Sequence, residues 1–207
     1  MLTQLKVEDF LDVLASDAPA PGGGSIAALN GAMAAGLVSM VCRLSQGRKG
    51  LEQYASTLAQ TLEKAQACQA LLTSLVDEDT EAFNLVMAAF KMPKASDDEK
   101  AARSQAIQKA FAQAVNVPLK TAETCAQVLE LAQGILGKFN PNTASDLGVS
   151  AQCAEAGLNG ALMNVAINLP SLKDKDFIQT IEQKQAQIKA QAAAAKAQVD
   201  EEVKKAL

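Results

Sequence analysis

Apolar residues recur along this chain at the three-and-four spacing of a helix almost from end to end. Phe10, Leu11 and Leu14 mark one side of a short helix from Val7 to Ala15, and Ile26, Leu29, Met33, Leu37, Met40 and Leu44 mark a long second one. Within the second, Ala27, Gly31 and Ala35 stand four apart, with Gly36 and Ser39 beside them. Small residues so placed let another backbone approach closely, which puts this helix at the centre of a bundle or dimer. A third stripe runs through Leu51, Tyr54, Leu58, Leu62, Ala65, Cys68, Leu72 and Leu75, and continues through Val76, Phe83, Met87 and Phe90 to a stop at Pro93. Leu119, Ala122, Cys125, Leu129 and Ala132 belong to a fourth, and Leu147, Ala151, Ala154, Leu158, Ala161 and Val165 to a fifth that ends at Pro170. The last stretch, 175–207, is a charged, Ala- and Gln-rich helix with a weak apolar face, expected to pack on the outside or fray.

The punctuation agrees with the periodicity. Ser16 to Gly24 is a breaker loop rich in Pro and Gly, and Ser25 is placed to cap the helix that follows. Gly47-Arg48-Lys49-Gly50 is a basic break. Ser96-Asp97-Asp98-Glu99 reads as a capping box, and Pro118 should kink or divide the helix it opens. Lys138 to Asn142 is a turn, with Thr143 as cap and Asp146 three residues on. No alternating strand pattern and no internal repeat is present. The expectation is a single all-α domain over 1–207, a bundle of about six to eight helices.

Composition narrows the function. Hydrophobic residues make up 49% of the 207 and aromatic ones only 3%, so the core must be built from closely packed Ala and Leu helices. A net charge of −4 lacks the basic field of a nucleic-acid binder, although a local basic patch can still hold a small anion. Cys42, Cys68, Cys125 and Cys153 lie far apart inside apolar patterns and read as buried small hydrophobes of a reducing compartment. The uncharged run from Ala18 to Cys42 contains two prolines, three consecutive glycines and Asn30, a poor membrane span. The N-terminus has no secretory pattern, so a cytoplasmic protein is expected. There is no histidine, which leaves acid–base work to Asp, Glu, Lys, Cys or Tyr54 and removes any His-based metal site.

Three polar clusters interrupt the helices. Gly22-Gly23-Gly24-Ser25 is either a tight turn feeding a buried helix or a place where backbone approaches a ligand. Asp77, Asn84 and Lys91 stand seven apart and so share a helix face, with Glu81 beside them; the face is either a solvated ridge or a site. Asn140-Pro141-Asn142-Thr143-Ala144-Ser145-Asp146 has the form of an ordinary turn and cap. Asn159, Asn164 and Asn168 lie on an otherwise apolar helix and need partners if buried.

Taken together, PAPGGGSIAALNGAMAAGLVSMVCRLSQGRKG, LVDEDTEAFNLVMAAFKMPK, VPLKTAETCAQVLELA, GKFNPNTASDLGVSA and GALMNVAINLPSLKD resemble, in order and over roughly residues 5 to 180, the formiminotetrahydrofolate cyclodeaminase and methenyltetrahydrofolate cyclohydrolase family. The resemblance implies an all-helical homodimer, a tetrahydrofolate-derived substrate, and no metal or cofactor beyond that substrate. In some relatives this domain follows a formiminotransferase, which here would be a separate partner. Ala166 departs from the family, where a basic residue is frequent.

Both family reactions pass through a one-carbon bridge between the pterin and anilino nitrogens, and both need a base and an acid. With no histidine in the chain, Asp77 or Asp146 is the expected base or electrostatic stabiliser and Lys91 the proton donor or orienter. Gly22 to Ser25 would shape the pterin pocket, Arg43, Arg48 and Lys49 would meet the glutamate carboxylates, and Glu81, Asn84, Asn140 and Asn142 are further expected substrate-binding residues. Helix ends and a dimer groove are the expected places for the pocket. Cyclodeaminase leads because the namesake signatures are present. Cyclohydrolase follows closely, favoured because no transferase domain accompanies these residues. A non-catalytic helical interaction protein is the reading of another class, opposed by the polar clusters.

Overall fold

The computed structural model describes residues 1–207 and contains six α-helices and no strand. Helix α1 spans Val7–Leu14, α2 Gly23–Ser45, α3 Ala55–Phe90, α4 Asp97–Gly134, α5 Ala144–Asn168 and α6 Lys175–Ala206. Short 3₁₀ turns precede α1, α3 and α5 and follow α5. At 36 and 38 residues, α3 and α4 are each more than about 50 Å long.

Helix α2 occupies the centre, packed between α3 and α5 with α4 behind it, while α6 lies across α4 and α5. Its small residues explain the position. Ala27, Ala28, Ala34 and Ala35 are buried, and Gly31 lies against Leu72 of α3 and Cys125 of α4. A Cβ on Gly157 of α5 would stand 2.7 Å from the Ala27 carbonyl oxygen, so these two backbones touch where only glycine permits it. The cysteines are free; burial pushes the Cys42 thiol up to about 11 and Cys125 to about 12, which keeps both as thiols.

The Ser96 capping box forms with both of its arms. Pro118 neither ends nor divides α4. Proline cannot donate to the carbonyl four residues back, but the orphaned Ala114 oxygen accepts from Asn168 Nδ2 of α5 at 3.1 Å. Helix α6 does not fray. Its Ile181, Ile188, Ala192, Ala195, Val199 and Val203 join the main core. The buried Lys196 of α6 pairs with Asp200 and, at 3.5 Å, with Glu155 of α5. At the other terminus, buried Asp77 accepts from Leu2 N–H and from Thr3 Oγ1 at 2.8 Å, fastening the first residues to α3.

Candidate active site

Where the start of α2 meets the middle of α3 and the end of α5, the helices leave a cavity of about 440 Å³. That volume is within the usual range for a small-molecule site. Pro19, Ala20 and Gly22–Gly24 form one wall, Asp79, Thr80, Phe83, Val86, Met87 and Phe90 of α3 a second, and Phe111 and Ala114 of α4 with Asn164, Ile167 and Asn168 of α5 close the rest. The cavity is polar at the Asp79 end and aromatic at the Phe90 end. Along α3 these two ends are eleven residues apart, about 16 Å by helical rise. An open groove between α4 and α6, lined by Glu123, Glu130 and Lys184, is nearly as large at about 370 Å³. Apart from the buried Ala126 and Ile188 it offers polar and charged surface side chains, without a buried titratable group.

The polar end is built on Gly24. Its Cα lies so close to Asp79 that any Cβ would overlap the carboxylate, standing 2.5 Å from Cγ. Ser25 does not cap α2; Gly22 occupies that position. The Ser25 hydroxyl is buried and crosses to α3, donating to the Val76 carbonyl at 2.9 Å and lying 3.1 Å from Asp79 Oδ2 and 3.4 Å from Thr80 Oγ1. Burial holds the Asp79 carboxyl above the ordinary carboxylate range, and the hydrogen bonds from Ser25 only partly oppose this. On the facing wall the Asn164 and Asn168 amides donate to the Gly160 and Asn164 carbonyls, both at 2.9 Å, which fixes their orientation. A half-buried acid with a raised pKa, between a helix N-terminus and two oriented amides, is equipped to exchange a proton with a bound heterocycle.

Residues 6–187 match the family described as formiminotransferase-cyclodeaminase. The chain belongs to that family. It is 46% identical over 171 residues to a methenyltetrahydrofolate cyclohydrolase of Methylorubrum extorquens, covering 83% of this chain and 82% of that protein. It is 39% identical over 176 residues to the formimidoyltransferase-cyclodeaminase of Rattus norvegicus, of which it spans 32%. The crystal structure of a formiminotetrahydrofolate cyclodeaminase from Thermotoga maritima superposes with a TM-score of 0.89 at 26% identity, over 99% of this chain and 98% of that one.

Set on this family fold, the residues singled out in the sequence divide into two groups. Gly22, Gly23, Gly24 and Ser25 lie at the cavity. Asp77 does not; its carboxylate is spent on Leu2 and Thr3, beside the exposed Glu81. Asn84 and Lys91 are exposed and line no part of the cavity. The shared face inferred for Asp77, Asn84 and Lys91 exists, but α3 turns Asp79, Phe83, Val86 and Phe90 to the cavity instead.

Arg43, Arg48, Lys49, Asn140, Asn142 and Asp146 gather at the far end of α2. Asn140 N–H donates to Ser45 Oγ at 2.8 Å, and its side chain caps the turn before α5. Thr143 does not cap; its hydroxyl donates to the Asn140 carbonyl. Twenty residues of helix separate Gly23 from Arg43, about 30 Å, so one chain does not bring the two groups to a single small ligand. Sequence reasoning missed Asp79, Thr80 and the aromatic wall. The available signal was that Asp79 stands four residues before Phe83 and eleven before Phe90, on the apolar stripe itself.

Proposed function

We propose that this protein is a cytoplasmic enzyme of folate one-carbon chemistry that uses the cavity at Gly22–Ser25 and Asp79 to bind the pterin and bridge of a tetrahydrofolate derivative. One observation carries the reading: a half-buried carboxyl of raised pKa, fixed against Gly24 and Ser25, opens into a cavity with an aromatic far end. The polar end suits the hydrogen-bonding pterin edge, and Phe83, Phe90 and Phe111 suit an aminobenzoyl ring.

In the cyclohydrolase reaction, water adds to the cationic methenyl carbon. One water proton passes to the Asp79 carboxylate; the other moves from the resulting hydroxyl to the leaving nitrogen as its bond to carbon breaks, giving formyltetrahydrofolate. The ionised Asp79 also stabilises the cationic bridge before attack. In the cyclodeaminase reaction, the anilino nitrogen adds to the formimino carbon, its own proton passes to the former imino nitrogen, and that nitrogen takes a second proton from the same carboxyl and leaves as ammonia, giving the methenyl cation. The cyclohydrolase reading is supported by the relative at 46% identity, matched over most of both chains. The cyclodeaminase reading is supported by the Thermotoga maritima structure and by the motifs. For deamination, a separate formiminotransferase supplies the substrate.

We also infer a homodimer. Ile26, Leu29, Met33, Leu37, Met40 and Leu44 form a partly exposed apolar stripe along the central helix, with Met163 and Ile167 of α5 71% and 75% exposed. A two-fold axis near the middle of α2 would lay the Asn140–Asp146 turn, Arg43 and Arg48 of one protomer beside the cavity of its partner. The deciding experiment follows methenyltetrahydrofolate absorbance, and ammonia release from formiminotetrahydrofolate, with purified wild type and Asp79→Asn. Turnover of either substrate that collapses in the variant supports the proposal; no turnover of both, or full activity in the variant, refutes it.

A further inference from the structure

Proline at position 118 leaves the Ala114 carbonyl of α4 without its helical donor, and the Asn168 side chain at the end of α5 repairs the gap. The repair fixes the polarity of one cavity wall. Both hydrogens of the Asn168 amide nitrogen are spent, one on the Ala114 carbonyl at 3.1 Å and one on the Asn164 carbonyl at 2.9 Å. Neither partner can donate, so a turned amide would set oxygen against oxygen at both contacts, and only one orientation is left. The amide oxygen, Oδ1, accepts from no group of the protein. No buried side-chain oxygen or nitrogen here lacks a partner, so Oδ1 is open, and the open space beside the half-buried Asn168 is the cavity it lines. Asn164, one turn earlier, makes a single side-chain bond to the Gly160 carbonyl, and its Nδ2 lies against Gly23 with a second hydrogen uncommitted. The α5 wall therefore offers a donor at one turn and an obligate acceptor at the next, about 6 Å along by helical rise.

We infer that Asn168 is a substrate-binding residue whose Oδ1 accepts an N–H from the pyrimidine edge of the pterin. The inference rests on the folate reading of the cavity and adds to it a residue, an atom and a polarity. The pyrimidine edge carries a ring N–H next to an amino group, and a bicyclic ring seated on Gly23 and Gly24 extends past Asn164 toward the next turn. An acceptor whose amide cannot turn also rejects a ring that presents a lone pair at that place, because the two lone pairs face each other. Loss of one hydrogen bond between neutral groups weakens binding about three- to tenfold.

The test is a double-mutant cycle between Asn168→Leu and Pro118→Ala, read by thermal melting and by calorimetric binding of oxidised folic acid, which shares the pyrimidine edge and does not turn over. Alanine at 118 returns an N–H to the Ala114 carbonyl, and Pro118 lines no part of the cavity, so this change removes the need for repair and leaves the site alone. Asn168→Leu should lower the melting temperature by about 3–8 °C in the wild-type background, and by less in the Pro118→Ala background. Its effect on folic acid should be the same in both, about three- to tenfold weaker binding. Asn168→Ala, which removes bulk instead of exchanging it, should show that loss as well. Unchanged affinity, a loss seen with Leu but not with Ala, or a loss that vanishes in the Pro118→Ala background overturns the assignment while leaving the cavity reading standing. Equal melting losses in both backgrounds would show that Asn168 does not repair α4, and would overturn the geometry that fixes its oxygen. Failure of wild type to bind folic acid overturns the cavity reading and the assignment with it.

Discussion

Replacing Gly24 with alanine isolates the contact on which the candidate site is built. The new Cβ would stand 2.5 Å from Asp79 Cγ and 2.8 Å from Oδ2, and would overlap Oδ1 outright. Both groups are carried by long packed helices, so the carboxylate must swing away from Ser25 or the start of α2 must lift. Overpacking of this kind costs about 1–3 kcal/mol, offset by up to about 1 kcal/mol of helix propensity gained over glycine. The net loss of stability is then about 0–2 kcal/mol, small enough for the variant to fold. Activity should suffer far more, since a misplacement of about 1 Å at a reacting group can cost about 10²-fold. Gly23→Ala is the matched control, because its Cβ meets Asn164 Nδ2 at 3.4 Å, an ordinary contact. Urea denaturation and initial rates on the methenyl and formimino substrates measure both quantities. If Gly24→Ala keeps its rate within about twofold of Gly23→Ala, the placement of Asp79 against this glycine is irrelevant to function and the reasoning fails.

Further predictions separate anchoring from chemistry. Asp77→Asn should cost about 1–2 kcal/mol by weakening the attachment of Leu2 and Thr3, yet leave turnover within a few-fold; a collapse in rate at unchanged stability would return Asp77 to the catalytic role first expected of it. Asp79→Asn should stabilise the fold at neutral pH. Partial burial raises the folded pKa above the ordinary 3.8, so below that value both states hold the proton, and as pH climbs through the raised folded value the wild type alone bears a partly desolvated charge. Thermal melts of the pair should therefore converge in acid and separate toward neutrality, and parallel curves would contradict the burial argument. Leu37→Asp puts a charge in the middle of the apolar stripe and should shift the protein to monomer in light scattering, with activity lost in parallel; a monomeric wild type would remove the dimer proposal.

Most of the fold was legible because its signals are local. Proline and glycine punctuation, the Ser96–Glu99 box and the three-four stripes each act within a turn or two of helix, and the helices begin and end close to where those signals stand. Misreadings arose where a distant partner changed the meaning of a local signal. Pro118 looked like a divider, but Asn168, far along the chain, satisfies the carbonyl that proline orphans. Ser25 looked like a cap, but its hydroxyl finds Val76 and Asp79 on another helix. The core face of α6 is sparse, with two alanines among its two isoleucines and two valines, so its contribution depends on how closely α4 and α5 approach, and periodicity does not report that distance. Asp77 and Asp79 differ by about 200° around α3, so the side of the helix that meets the glycine loop decides between them. That choice is tertiary, and only the position of Asp79 on the stripe of Phe83 and Phe90 hinted at it.

The most direct test of the account is the initial rate of methenyltetrahydrofolate hydrolysis and of ammonia release from formiminotetrahydrofolate as a function of pH, for wild type and Asp79→Asn. The account predicts catalysis of at least one reaction. Methenyltetrahydrofolate hydrolysis, which uses the carboxylate, is predicted to fall as acid protonates a carboxyl above the ordinary carboxylate range, and ammonia release, which uses the protonated form, to fall as pH rises through that value, with the limb and most of the rate absent from the variant. Wild-type turnover that Asp79→Asn retains with the same pH profile would contradict it.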